Sequence, residues 1–130
     1  MNMKGEILLK KCIKSIGYFI NCYNNHSIVI DPKDNFDELS RKYFIQSLLV
    51  GSSTGIIRIT DNGFGKIKID DGAKRINAIV DFVSGKFPLD DFVLRDIGIE
   101  TDKPMYYGEL FDNLVFEEKF LNYLCFVEVY

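Results

Sequence analysis

The chain has no tryptophan, a single histidine (His26), three prolines and three cysteines among its 130 residues. A lone histidine builds no metal cluster, and no His-based triad assembles around it, so His26 reads as structural or solvated beside a turn. Cys12, Cys22 and Cys125 are odd in number, form no C-x-x-C pair and sit among apolar neighbours. Reduced, buried thiols are expected, with no disulfide, no metal and no cofactor. Long apolar runs are missing too. Nothing approaches the ~18 consecutive residues of a membrane span. Ile7-Leu8-Leu9 is broken by Lys10, Lys11 and Lys14, and no small-residue cleavage site follows. A secretory signal needs both, so a cytoplasmic location is expected. No repeat, low-complexity tract or linker divides the chain, which reads as one globular domain over residues 1–130.

Apolar residues make up 47% and charged residues 27%, ordinary for a globular protein rather than a disordered one. The net charge of −3 is unevenly spread. Residues 1–86 hold 13 Lys/Arg against 9 Asp/Glu, whereas residues 87–130 hold 3 against 10. The second segment is therefore one-sidedly acidic. Such a segment steers basic partners and repels nucleic acid, though keeping that face solvated is the simpler explanation.

The most legible stretch is Gly55–Gly85. Ile57 and Ile59 alternate with Arg58 and Thr60, and Ile67 and Ile69 alternate with Lys66, Lys68 and Asp70. This period of two marks strands with one buried face, and Asn62-Gly63 supplies the reversal between them. The period then becomes three and four. Ala73, Ile76, Ile79, Val80 and Val83 fall on one helix side, opposite Lys74, Arg75, Asn77 and Asp81, with Asp71 placed to cap and Gly85 to stop. A second helix is expected over 36–50 from Leu39, Tyr43, Phe44, Ser47, Leu48 and Val50, capped by Asp34 or Asn35 and ending at Gly51. Asp37–Arg41 and Glu38–Lys42 would support it as i,i+4 pairs.

The remaining segments are read from weaker signals. Ile16–Tyr23 fits a helical stripe or a strand; its aromatic and β-branched content favours a hairpin over 15–30, turning at Asn24-Asn25. Residues 4–13 stay open between strand and helix. A short helix is expected over 89–95. Leu121, Tyr123, Cys125, Val127 and Val129 share one side of a final strand, with 110–117 as its antiparallel partner, although Phe111, Leu114 and Val115 also fit a helix. The fold class is therefore α+β, an antiparallel sheet of hairpins (15–30, 55–70, 110–129) packed on helices 36–50 and 72–84.

No motif resolves into chemistry. Gly51-Ser52-Ser53-Thr54-Gly55 matches G-x-S-x-G, but a helix precedes it and a strand follows, the reverse of a nucleophile elbow. The same loop lacks the lysine of a phosphate cradle, and Gly63-Phe64-Gly65 lacks the third glycine of a dinucleotide fingerprint. Lys4, Lys10, Lys11 and Lys14 are too scattered for a nucleic-acid face. Asp70-Asp71 and Asp90-Asp91 are the paired aspartates, and helix starts account for both. Catalytic residues are therefore not assigned.

Protein recognition remains. Tyr106, Tyr107, Tyr123 and Tyr130 fall in the acidic segment, and tyrosine is enriched at interfaces. With Asp90, Asp91, Asp102, Glu109 and Asp112, residues Tyr106 and Tyr107 make a candidate face for a basic protein. In type rather than in sequence, this profile is similar to that of bacterial immunity proteins, which neutralise a cognate toxin by covering its active site. The abundance of Ile, Lys and Asn suits an AT-rich bacterial or phage genome. The expected function is non-enzymatic binding of a basic toxin or effector, with no nucleic acid and no membrane. The rival readings are a small enzyme using Asp90, Asp91 or Asp70, and a structural or homo-oligomeric module.

Overall fold

Alternation sets the strands and three-to-four spacing sets the helices, but the connections follow long-range packing. The computed structural model describes residues 7–112 and 114–130. In chain order the elements are β1 (Lys10–Ser15), α1 (Ile16–Asn24), β2 (Ile28–Val29), α2 (Glu38–Leu49), β3 (Ile57–Asp61), β4 (Ile67–Asp71) and α3 (Ala73–Val83). The acidic segment then adds α4 (Asp91–Arg95), α5 (Tyr107–Leu110), α6 (Leu114–Leu121) and β5 (Leu124–Val129). The five strands form one sheet in the order β1-β5-β3-β4-β2.

The molecule is α+β, but the sheet is mixed rather than antiparallel. β1–β5 and β3–β4 are antiparallel, while β3–β5 and β2–β4 are parallel. The 55–70 hairpin is present as β3 and β4; the other two hairpins are not. At 15–30 the Ser15 hydroxyl accepts a bond from the Tyr18 amide at 3.0 Å, starting a helix. Ile16, Phe19 and Cys22, three residues apart, bury one side of it. That spacing outweighs the β-branched composition, and α1 becomes the crossover that makes β2 parallel to β4. At 110–129 two helices precede β5, whose antiparallel partner is β1 from the other end of the chain. Alternation along β5 specifies its buried side but not its neighbour. Of the stretch 4–13, residues 4–6 lie outside the described residues, and Lys10 onward is strand.

Helix 36–50 is present as α2, with a different cap and a different buried side. Asp37, not Asp34 or Asn35, accepts from the Ser40 amide at 2.8 Å, and this bond holds its carboxyl below the ordinary range. Lys42, Ile45 and Leu48 face the core, while Leu39, Tyr43 and Val50 are exposed. Helix 72–84 is present as α3. Ile76, Ile79, Val80 and Phe82 are buried, and so is Asn77, which the spacing placed on the wet side. Its amide donates to the carbonyls of Asp31 at 3.1 Å and Asp34 at 2.7 Å, pinning the 31–35 loop.

Asp71 does not cap α3. It binds Arg58 at 2.9 Å and Arg75 at 3.3 Å, and Gly72 takes the cap position at φ +114°. A Cβ there would lie 2.6 Å from Ile57 Cδ1. Gly72→Ala is expected to destabilise the fold by about 2–4 kcal/mol, strain and overpacking together. Gly63 has φ +77° and open space around it, so Gly63→Ala should lose only about 1–2 kcal/mol. Urea unfolding of the two variants measures the difference.

Candidate functional site

The acidic segment is held to the core at three places. Lys42 on α2, its side chain 9% exposed, reaches Asp90 at 3.1 Å, and Gln46 donates to the Val93 carbonyl at 2.8 Å. Leu89 and Met105 exchange both backbone bonds at 2.9 Å, closing the loop that carries α4. Tyr107 is buried against Phe82, Phe111 and Phe120, with ring centroids 4.9–6.1 Å apart. Its hydroxyl donates to Glu117 at 2.8 Å.

These anchors leave a groove between the end of α2 and the 97–112 segment. Leu49, Val50, Ile97, Ile99, Met105 and Phe111 line its apolar wall, and Glu109 and Asp112 contribute carboxylates. Its volume is about 510 Å³, within the range of sites that hold a side-chain cluster or small ligand. Glu109 is locally committed: it accepts from the Tyr106 amide at 3.1 Å and from Lys103 at 3.4 Å. Both bonds lower its carboxyl pKa, the Tyr106 amide most. Asp112 is exposed and forms no ion pair among the described residues.

The residues singled out from the sequence divide accordingly. Glu109 and Asp112 meet at the groove. Tyr106, 45% exposed, follows the groove residue Met105, and Asp102 is exposed on the preceding loop. Asp91 instead binds Arg95 at 2.8 Å, which lowers its pKa. Asp90 is turned inward under Lys42, and Tyr107 is in the core. The apolar wall went unread in the sequence; Leu49-Val50, running on past the buried Leu48, was its only local signal.

The other candidates have settled partners. Asp70 accepts from Thr60 Oγ1 at 2.6 Å and lies 3.6 Å from Lys68. In the serine loop, Ser53 Oγ accepts from the Gly55 amide at 3.0 Å, and Tyr123 donates to the Ser52 carbonyl. Cys22 and Cys125 are buried free thiols, and Cys12 is half-buried. Among the described residues no three His, Cys, Asp or Glu side chains are grouped to hold a metal ion, and no helix is long and apolar enough to cross a membrane.

Removing Asp90 leaves the buried Lys42 ammonium only the exposed Glu38 at 3.8 Å, so Asp90→Ala is expected to lose about 2–4 kcal/mol, largely recovered in the Lys42→Met/Asp90→Ala double variant. Chemical denaturation of the set measures this. Burial, then bonding to Glu117, raises the Tyr107 phenol well above its ordinary value, and burial with Cys22 pushes Tyr18 up to about 12. Unfolding frees both to ionise near pH 10, so their contribution is complete below about 10 and is lost as pH rises toward about 12. Ultraviolet titration should show a late tyrosinate phase that coincides with unfolding and shrinks in Tyr107→Phe. A single phase near pH 10 would contradict the burial of both phenols.

Comparison with family models, with curated proteins and with solved structures returns no match.

Proposed function

We propose that this chain is a non-enzymatic protein-binding domain of the immunity or inhibitor type, which neutralises a basic toxin or effector by covering its active site. The reading is carried by one observation: an apolar groove of about 510 Å³ that carries carboxylates, in a segment with 10 acidic against 3 basic residues. Apolar walls supply affinity by burial, and the surrounding field selects partners by sign. The occupant that fits is an aliphatic or aromatic side chain flanked by Lys or Arg on the partner's surface. Asp112 on its lining is exposed and forms no ion pair among the described residues, and Asp102 and Tyr106 are exposed on the stretch that leads into it.

This placement changes which substitutions are informative. Asp90 and Asp91 answer to Lys42 and Arg95, so reversing them perturbs the fold before it perturbs a partner. Asp112 and the 58% exposed Val50 test the surface itself. With the product of the adjacent reading frame as probe, titration calorimetry should give a 1:1 complex. Its affinity should fall at least about tenfold from low to high salt and by a similar factor in Asp112→Lys. Val50→Lys should weaken it without changing the melting temperature. Binding that ignores salt and both substitutions removes the groove from the interface.

A further inference from the structure

The sheet has one buried face and one open one. Along β5, Cys125, Val127 and Val129 are buried with the helices, while Leu124 and Phe126 are 56% and 57% exposed. Opposite them on β1, Ile13 is 52% exposed and pairs in register with Phe126; Ser15 pairs with Leu124 and Lys11 with Glu128. On the other flank, β3 runs parallel with Ile57 beside Val127, so the same register sets Ile56, 40% exposed, beside Phe126. Ile13, Ile56, Leu124 and Phe126 thus form one contiguous apolar patch. The outer face of a half-solvated sheet ordinarily carries polar side chains. Here it does so on the far half, the exposed Val29 on β2 apart, and exposed contiguous apolar surface marks an interaction site.

Two residues along from the patch, the same face carries a row of alternating charge. Lys11 on β1 stands beside Glu128 on β5, then Arg58 on β3 and Asp71 at the end of β4. Arg58 binds Glu128 at 3.0 Å and Asp71 at 2.9 Å. Both the Arg58 and the Tyr130 bonds to Glu128 end on Oε1. The row is balanced, so it selects neither a basic nor an acidic partner. It does select a copy of itself. A two-fold axis along the strands, midway between β1 and β5, lays Ile13 of one chain over Phe126 of the other. The same operation lays Lys11 over Glu128, twice by symmetry, at the ~10 Å separation of stacked sheets. Edge-to-edge pairing through β1 is disfavoured instead, because Lys10, Lys11 and Lys14 would meet their own kind along that edge.

We infer that the open face of the sheet is a homodimer interface, in which the Ile13–Ile56–Leu124–Phe126 patch packs on a second copy and Lys11 faces Glu128 across the two-fold. Aligned sheet packing of this kind completes a sandwich that one chain leaves half built. The acid-bearing groove lies among the helices, away from this face, so each copy keeps its groove open.

Sedimentation equilibrium over about 1–500 µM tests the inference, since a patch this small fits micromolar association. The wild-type mass should rise from that of the 15.0 kDa chain toward twice that value. Phe126→Glu and Ile13→Glu change exposed side chains, so both should keep the wild-type circular dichroism and remain monomeric. Lys11→Glu and Glu128→Lys should each weaken association at least about tenfold alone, with circular dichroism showing that Glu128→Lys keeps its fold despite losing the Arg58 bond, and a mixture of the two should recover it, since both cross-copy pairs are again of opposite charge. Monomer at all concentrations would overturn the inference. So would a dimer that survives Phe126→Glu, or a mixture that stays dissociated.

Discussion

Phe82 is the side chain through which the acidic segment is held to the hairpin-and-helix unit. It sits on α3, fully buried, and its ring meets Phe87 at 5.7 Å, Tyr107 at 5.6 Å and Phe120 at 6.3 Å. The Tyr107 contact is edge-to-face, the arrangement a ring quadrupole prefers. Each such pair adds about 0.5–1.5 kcal/mol beyond the area it buries, so the cluster amounts to a sizeable share of a marginal total stability. Its consequence is positional. Phe82 belongs to the hairpin-and-helix unit, whereas Tyr107 and Phe120 belong to the acidic segment, so the groove inherits whatever rigidity this packing has.

The polar tethers around the cluster act differently. Lys42 and Asp90 are 48 residues apart and meet where water is scarce. A buried ion pair repays little more than its own desolvation, so what it contributes is orientation: α4 has one docked position that satisfies both charges. Gln46, one turn further along α2, fixes the same approach through the Val93 carbonyl. Asn77 plays this part for the 31–35 loop. Three polar side chains therefore aim segments that apolar packing alone would hold more loosely.

How much of this was legible in the sequence depends on how local the cause is. The β3–β4 hairpin, α2 and α3 follow from periodicity inside each segment, and their residues declare it. Asn77 reads as solvent-facing because its buried partners are carbonyls more than 40 residues away. Ile16–Tyr23 reads as strand from its composition, yet one serine cap and a three-residue spacing decide for helix. β5 shows its buried side plainly, but nothing within it names β1 as partner. The groove illustrates the same limit. Its carboxylates are visible as an acidic bias, whereas its wall joins the end of α2 to residues 97–111 only once the chain has folded.

The acidic bias itself means something narrower in three dimensions than in one. Of the acids in 87–130, Asp90, Asp91, Glu109, Glu117 and Glu128 each have an internal partner. Asp96, Glu100, Asp102 and Asp112 are exposed and form no ion pair among the described residues. A paired charge still adds to the distant field, but at contact distance it is already neutralised by its neighbour. Long-range attraction of a basic surface would therefore draw on the whole segment, and short-range discrimination on those four and on Glu118 of α6, likewise exposed and without an ion pair among the described residues. The first four lie between α4 and Asp112, just past α5, the stretch that also supplies Ile97, Ile99 and Met105 to the groove. Uncommitted charge and uncovered apolar surface thus coincide on the helical side. On the open sheet face Arg58 holds Glu128 and Asp71, while Lys11 forms no ion pair among the described residues and stands beside uncovered apolar surface.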